Sequence, residues 1–445
     1  MSRAGSPPGL EPAPELKDPE ALRQLQIGRL NEVLARARQT PYYAERLRGL
    51  PDLLGTLDEL RAFPMTTKAD VLADVGAHPP FGRRLRVPRE AIRHVVSTSG
   101  TSGLGQEVYP LDQEDEDAVH LMAARGFHWA GVDESSVVAN TLPLGMSAAG
   151  QWYYHGLRRL GANVLEVGGL STDRKVEHVQ RFGADTLVGT PSYMYRMAAE
   201  ARELGLDPRA LPVRRLVVAG ESWSVPWMRR LEEAWDAKVF EQYGCTQRAM
   251  AWTCPAGAVS AGERGVLHAL SDWGLYEVID PDSGEPVTLG RGELVITPFV
   301  SSASPLLRFA TGDSVTVLPP CGCGRPGPCL AAGVVDRYDF MVKVRGVNVW
   351  PEALDRAVFA LPAVREYEAT VERSESGHET LRVRIELHSH DERAPLVVGE
   401  SVREITGLGA QVEVVQDDAI TRSIEDRFRK RCRLVDRRAE TDPVA

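Results

Sequence analysis

From about residue 94 to residue 300 the chain alternates short β-branched runs with amphipathic stretches. That alternation restricts it to a layered α/β architecture. SSVVANTL, NVLEV, DTLVGT, RRLVVAG and KVFEQYG read as strands. GQWYYHGLRRLG, STDRKVEHVQRFG, PSYMYRMAAEARELG and SVPWMRRLEEAW read as the helices between them. Repetition of this kind predicts a largely parallel sheet covered by helices. LYEVIDPDSGEPVTLGRGELVITPFV follows as a hairpin-rich β segment, with PDSGEP as a turn. After about residue 336 the order becomes β-α-β-β-α-β, through FMVKVRGVNVWP, PEALDRAVFAL, the hairpin YEATVERSESGHETLRVRIELHS, SVREITGL and AQVEVVQ. That order suits a small split βαβ domain. The expected fold class is α/β: a large layered N-terminal domain with parallel-type sheets plus a β segment, and a small split βαβ C-terminal domain.

A chain of 445 residues exceeds one ordinary core. The expected divisions are a disordered lead over 1–20, an N-terminal domain over 21–336, a hinge over 337–340, a small domain over 341–438 and a tail over 439–445. The lead, MSRAGSPPGLEPAPELKDPE, holds no apolar run and reads as neither a signal peptide nor a membrane span. LQIGRLNEVLARARQTPYYAERL carries apolar residues at helical spacing. The net charge of -10 argues against nucleic-acid or anionic-membrane partners, which need clustered cations. No run approaches the length of a membrane span, and the expected location is cytoplasmic, where thiols stay reduced. Lysine occurs only at Lys17, Lys68, Lys175, Lys238, Lys343 and Lys430. Each is a candidate for work that needs a compact point charge rather than a guanidinium fork.

The run Ser97, Thr98, Ser99, Gly100, Thr101, Ser102, Gly103 is either a solvated surface loop or a phosphate cradle, since small residues expose backbone N–H groups and hydroxyls add donors. Gly220 and Glu221 follow one strand, and Tyr243, Gly244, Thr246 and Gln247 end another. Ligand sites in such sheets lie at carboxyl ends of strands, although each segment also reads as an ordinary turn. Asp313, after a Thr-Gly turn, either stabilises that turn or binds a diol. Arg337, Asp339, Lys343 and Arg345 charge the domain boundary. Cys254, His268, Cys321 and Cys323 form a spaced set that favours metal over disulfide among reduced thiols. Three thiolates and an imidazole suit tetrahedral Zn²⁺ in a closed structural site. Cys329 is a rival fourth ligand, Cys245 and Cys432 read as lone thiols, and the alternative is that all are free loop cysteines.

The order and spacing of TSGTSG, GESW, QYGCT and RFATGD resemble the adenylate-forming (acyl/aryl-CoA synthetase) superfamily. TPYYAERL, FPMTTKADV, GTPSYM and VRGVNVWPEALD make the chain similar to its phenylacetate–CoA ligase-like branch, over roughly residues 20–438. The resemblance implies ATP-dependent, AMP-forming activation of an aromatic carboxylic acid through an acyl-adenylate. Rotation of the small domain and transfer to coenzyme A would follow. It further implies that Ser97 to Gly103 wrap the β- and γ-phosphates, that Gly220 and Glu221 line the adenine slot, and that Tyr243, beside Gly244, stacks on the base. Thr246 would touch the α-phosphate, Asp313 would hold the ribose with Arg337 nearby, and Asp339 would be the hinge. Lys430 falls in the register of the lysine that neutralises charge at the α-phosphate, although the usual preceding glycine is missing and the segment is longer. The family usually carries a glutamate that helps hold Mg²⁺ where this chain has Gln247, whose amide oxygen can coordinate without charge.

Leu142, Ser147 and Ala219 fall at the family's aryl slot. Their small size suggests a bulkier or ring-substituted acid, unless they only pack. Trp152 and Tyr153 either compensate or belong to the core. The implied cofactors are ATP, Mg²⁺, coenzyme A and structural Zn²⁺, with a small aromatic acid as substrate, and the resemblance suggests a homodimer. Two alternatives stay open. One is an adenylating enzyme of the same fold with a non-CoA acceptor or substrate: an amine, a carrier, or nitrite activated for diazotisation of an aryl amine. The other is a zinc-stabilised nucleotide-binding scaffold without turnover, against which the intact TSGTSG, TGD and VRGVNVWP segments count.

Overall fold

A computed structural model describes residues 9–98, 106–333, 336–337, 341–373, 379–415, 420 and 433–438. The chain divides into two compact units, one of residues 1–220 with 231–332, the other of 221–230 with 333–445. Among the described residues no helix is long and apolar enough to cross a membrane.

The first unit is built on one continuous sheet. Its strands run in the order Gly274–Ile279, Gly290–Pro298, Phe309–Leu318, Cys329–Ala331, Val266–Ala269, Ala249–Thr253, Lys238–Cys245, Arg215–Ala219, Thr186–Gly189, Val137–Asn140 and Asn163–Glu166. From Lys238–Cys245 to Asn163–Glu166 neighbouring strands are parallel. The helices Ala148–Leu160, Thr172–Phe182, Pro191–Glu203 and Val225–Trp235 connect them as the alternation predicts. The β segment is not a separate layer. It continues the same sheet antiparallel, beginning where Lys238–Cys245 turns back into Ala249–Thr253. The PDSGEP turn falls as expected, with the Asp280 carboxylate accepting the backbone N–H groups of Asp282 and Ser283.

The N-terminal region differs from expectation in two ways. The single amphipathic helix is two, Pro19–Arg38 and Pro41–Arg46. Pro41 cannot continue the hydrogen-bond ladder, and Thr40 caps the second helix by accepting from the Tyr43 N–H at 3.3 Å. The lead expected to be disordered over 1–20 is packed from Gly9 onward. Leu10 is 1% exposed, and the Gly9 carbonyl accepts from the Arg125 guanidinium, which also pairs with Asp272 at 2.7 Å. A sequence rich in proline and acid gives no apolar period to announce such an anchor.

The second unit has a four-stranded sheet in the order Ala410–Val414, Glu379–Leu387, Val364–Arg373, Leu434–Asp436. Its central pair is antiparallel and both outer pairs are parallel. The helices Pro351–Phe359 and Ala394–Thr406 complete the split arrangement. The expected first strand is not in this sheet. FMVKVRGVNVWP forms its own hairpin, Val342–Val344 against Val347–Val349. Arg345 and Gly346 have φ of 47° and 82°, the doubly left-handed turn that matches strand twist. Leu434–Asp436 takes the fourth place, too short to carry a period. Arg433 holds it there: its buried guanidinium pairs with Glu366 at 2.7 Å and Asp355 at 3.2 Å, above the Phe359 ring. The stretch 221–230 joins this unit, where Arg230 donates to the carbonyls of Phe359, the last residue of its helix, and of Leu361 and Val364 beyond it.

Candidate functional site

The site residues of the first unit gather at the carboxyl ends of its parallel strands and at the base of the hydroxyl-rich loop. His94–Ser97 pairs with Val108–Leu111, and the zip continues one residue further. The Thr98 N–H donates to the Glu107 carbonyl at 3.0 Å, and the Glu107 N–H donates to Thr98 Oγ1 at 2.9 Å. The loop's two ends are thereby tied together. Ser99, Gly100, Thr101, Ser102 and Gly103 lie outside the described residues.

Lys238–Cys245 and Ala249–Thr253 are joined by Thr246, Gln247 and Arg248. The Arg248 N–H closes on the Cys245 carbonyl at 3.0 Å, and Arg248 has φ 67°, which fits a three-residue hairpin loop. Just before this turn, the buried Tyr243 hydroxyl donates to Asp313 Oδ2 at 2.7 Å. Asp313 does not follow a free turn. It sits inside Phe309–Leu318, where the pairing with Gly290–Pro298 slips between Glu293 and Val295. The residues Thr311, Gly312 and Asp313 form the resulting bulge, and Thr311 Oγ1 accepts the Asp313 N–H. Burial pushes the Cys245 thiol up to about 12, so this lone cysteine stays protonated.

Gln247 is buried, and its Nε2 donates to Glu107 Oε2 at 2.7 Å and lies 2.9 Å from the Tyr109 hydroxyl. A carboxylate can only accept, so the face of Gln247 turned to Glu107 is its amide nitrogen. Tyr109 also donates to Glu107 Oε2, at 2.6 Å. Burial, with the Glu107 charge beside it, holds the Tyr109 phenol well above its ordinary value. Lys68 Nζ stands 3.7 Å from Glu107 Oε1. Arg84, wholly buried, lies over the Tyr109 ring. Sequence reasoning assigned nothing to Glu107, Tyr109 or Arg84. The signal was a glutamate sharing one strand face with Tyr109 and Leu111, where an apolar residue belongs.

The Ser97 N–H donates to the Met146 carbonyl at 2.9 Å, which sets the 142–147 segment beside the loop base. Ser147 is exposed at the start of Ala148–Leu160, while Leu142 and Ala219 lean on the core. The Leu142–Pro143 backbone is closely confined. A Cβ on Gly150 would meet the Pro143 carbonyl oxygen at 2.2 Å, and one on Gly168 would meet that of Leu142 at 2.3 Å. Trp152 and Tyr153 are core residues, 3% and 2% exposed, and the Tyr153 hydroxyl donates to Gln242. Gly220, φ 84°, ends its strand in the first unit, whereas Glu221 falls in the stretch of the second. Arg337 is described only as backbone, in the strand Asp336–Arg337. Asp339 and Lys430 lie outside the described residues.

A second constellation lies where Val266–Ala269 meets Cys329–Ala331. One ligand atom each from Cys254, His268 and Cys321 falls within 4.8 Å of the others. Cys323 Sγ is 3.3 Å from His268 Nε2. Cys329, the strand partner of His268, lies on the Nδ1 side at 3.9 Å and accepts the Cys321 N–H at 3.3 Å. Burial, with Arg325 nearby, lowers His268 to about 4, so the imidazole is neutral and able to coordinate. Thiols and a neutral imidazole are donor types of a tetrahedral zinc site, so the chemistry of the set fits zinc.

Tyr243, near the carboxyl end of a parallel strand, pairs with Asp313 of an antiparallel strand, at the end of the sheet where ligands of such folds bind. The AMP-binding enzyme family model matches residues 90–298, and the AMP-binding enzyme C-terminal domain matches 346–438. A phenylacetate–coenzyme A ligase of Thermus thermophilus is 32% identical over 393 residues, covering 85% of this chain and 84% of that protein. One from Pseudomonas putida is 29% identical, covering 94% and 95%. A solved 2-hydroxyisobutyryl-CoA ligase, in the postadenylation state in complex with 2-HIB-AMP, is 25% identical with a TM-score of 0.86, covering 99% of this chain and 94% of that one. The chain belongs to the adenylate-forming, AMP-binding enzyme family, in its phenylacetate–CoA ligase-like branch. It is an enzyme of the AMP-forming acid–CoA ligase class.

Proposed function

We propose that this enzyme activates an aromatic carboxylic acid with ATP and transfers it to coenzyme A. The substrate carboxylate oxygen attacks the α-phosphorus, and the bond to the bridging oxygen of pyrophosphate breaks. The thiolate of coenzyme A then attacks the acyl carbon, and AMP leaves. The observation that supports the reading most is the buried pair of Tyr243, near the end of its strand, with Asp313 in the bulge of Phe309–Leu318, together with the tied base of the Ser97–Gly103 loop. In this reading Asp313 holds the ribose hydroxyls, Tyr243 lies against the base, and Gly220 and Glu221 border it. The loop and Thr246 bind phosphate, Arg337 lies near the ribose, and Lys430 balances charge at the α-phosphate. Asp339 is the pivot of the small domain. Leu142, Ser147 and Ala219 border the acid. Mg²⁺ supplies charge neutralisation on the triphosphate. A structural zinc is held by Cys254, His268, Cys321 and Cys323, with Cys329 in support behind the imidazole.

The test is pyrophosphate release with Mg·ATP over a panel of substituted aryl acids, with and without coenzyme A. Acid-dependent release with a thioester product is the expected result. Release without thioester moves the acceptor to an amine, a carrier or nitrite chemistry, and no release with any acid overturns the reading. Thr101→Val with Ser102→Ala is expected to cripple nucleotide use while the chain stays folded.

A further inference from the structure

Arg84 is 0% exposed, and none of its three guanidinium nitrogens has a hydrogen-bond partner among the described residues. The other buried arginines each face a carboxylate: Arg125 meets Asp272 at 2.7 Å, Arg308 meets Glu277 at 3.0 Å, and Arg248 stands 3.8 Å from Asp115. Arg84 has instead the Tyr109 ring, 5.5 Å from its Cζ to the centroid. A ring face attracts the charge, but it accepts none of the N–H groups that lie in the guanidinium plane. Arginine does not escape by losing its proton, and an ionised group buried without a counter-charge is strongly disfavoured.

Two more orphaned groups come from segments packed on the same stretch. The Tyr42 N–H donates to the Arg83 carbonyl at 3.5 Å, while the buried Tyr42 hydroxyl has no partner among the described residues and lies within the field of Arg84. On the other side the Arg86 N–H donates to the Ala303 carbonyl at 2.8 Å. The next residue, Ser304, is 0% exposed, and its Oγ is likewise without a partner. Both hydroxyls can donate. The neighbouring ionised groups are already balanced, Lys68 against Glu107, Arg46 against Asp70 and Arg248 against Asp115. The charge left over is therefore one positive unit. We propose that Arg84 is the centre of a binding site for one small, singly charged inorganic anion. The parallel N–H groups of a guanidinium suit a planar oxyanion such as nitrate or bicarbonate, and the enclosure of Arg84 and Ser304 limits the occupant to a few atoms. The site stands apart from the nucleotide reading and does not depend on it.

The experiment uses the full chain dialysed into sodium gluconate, whose anion is too large to be enclosed, and replaces gluconate with nitrate at constant ionic strength. Thermal unfolding is followed, and ATP affinity is measured alongside by calorimetry. Wild type is expected to gain about 3 °C in Tm along a saturating curve. Arg84→Met removes the charge and keeps an unbranched side chain. It is expected to lose the nitrate response and to bind ATP within about twofold of wild type. Bromide locates the site directly: wild-type crystals grown in sodium bromide should show an anomalous scattering peak beside the Arg84 guanidinium. Equal Tm in nitrate and gluconate, with no bromide peak at Arg84, overturns the proposal and leaves the guanidinium to buried water. A nitrate response that persists in Arg84→Met belongs elsewhere on the chain and also overturns it. A loss of ATP affinity beyond about tenfold in Arg84→Met assigns the guanidinium to a phosphate of the nucleotide and overturns it equally. If Arg84→Met does not fold, the wild-type bromide peak decides: its presence at Arg84 supports the proposal and its absence overturns it. Wild-type chain that binds no ATP overturns the reading of the nucleotide site, and the nitrate and bromide results still decide this one.

Discussion

Tyr243 and Asp313 lie on different strands, one parallel and one antiparallel, and meet through a 2.7 Å hydrogen bond that orients the aspartate. A hydrogen bond to a charged group contributes about 1.5–3 kcal/mol. Tyr243→Phe is therefore expected to raise KM for ATP roughly tenfold or more with kcat little changed. Steady-state kinetics with ATP and 2′-deoxy-ATP check this. Wild type should discriminate against the deoxy nucleotide, and Asp313→Ala should not.

Metal analysis of the purified chain is expected to find one zinc. Cys254→Ser and Cys321→Ser should lose it, and the loss should lower Tm by roughly 5–10 °C. Cys323→Ser should also lose it while Cys329→Ser retains it. The reverse pattern would exchange the fourth ligand.

Arg433 is the centre of a buried charge network in the second unit, its side chain 10% exposed between Asp355 and Glu366. Removing one partner from such a network leaves an uncompensated charge and costs about 3–5 kcal/mol. Arg433→Leu should therefore accelerate hydrogen exchange in Val364–Arg373, read by mass spectrometry. Adding Glu366→Gln should recover part of the protection.

Glu379 is held down at about 2 by the Arg345 N–H and by the guanidiniums of Arg438 and Arg373. Its ordinary value is 4.5, so between those values the unfolded chain binds more protons than the folded one. The contribution is complete above about pH 4.5 and is lost as pH falls through 2. An acid titration of the second unit's unfolding checks it, and Glu379→Gln should flatten the slope in that window.

The parallel strands were legible as short continuous apolar runs, buried on both faces, and the helices by their 3.6-residue apolar period. The Tyr243, Asp313 and cysteine segments were legible as motifs. Three things were not. Leu434–Asp436 is three residues long, and its place beside Val364–Arg373 and the ion pairs of Arg433 are contacts with residues distant in sequence. Gly9 is anchored by two hydrogen bonds from Arg125 and Leu10 by burial in the core, neither of which shows as a period. Glu107 has meaning only through Gln247, 140 residues away, and a pairing across that distance leaves no local pattern.

The Leu142–Pro143 carbonyls lie flat against Gly150 and Gly168, with no space for even a methyl group between. A wall seated this way has one degree of freedom left, the identity of the side chains it carries. Lengthening or bending the loop would unseat it. On the proposal that Leu142 borders the acid, the range of acids admitted can then drift by single codon changes at Leu142 and its neighbours while the main chain stays where it is. Gly150→Ala or Gly168→Ala would end that freedom by displacing the wall itself.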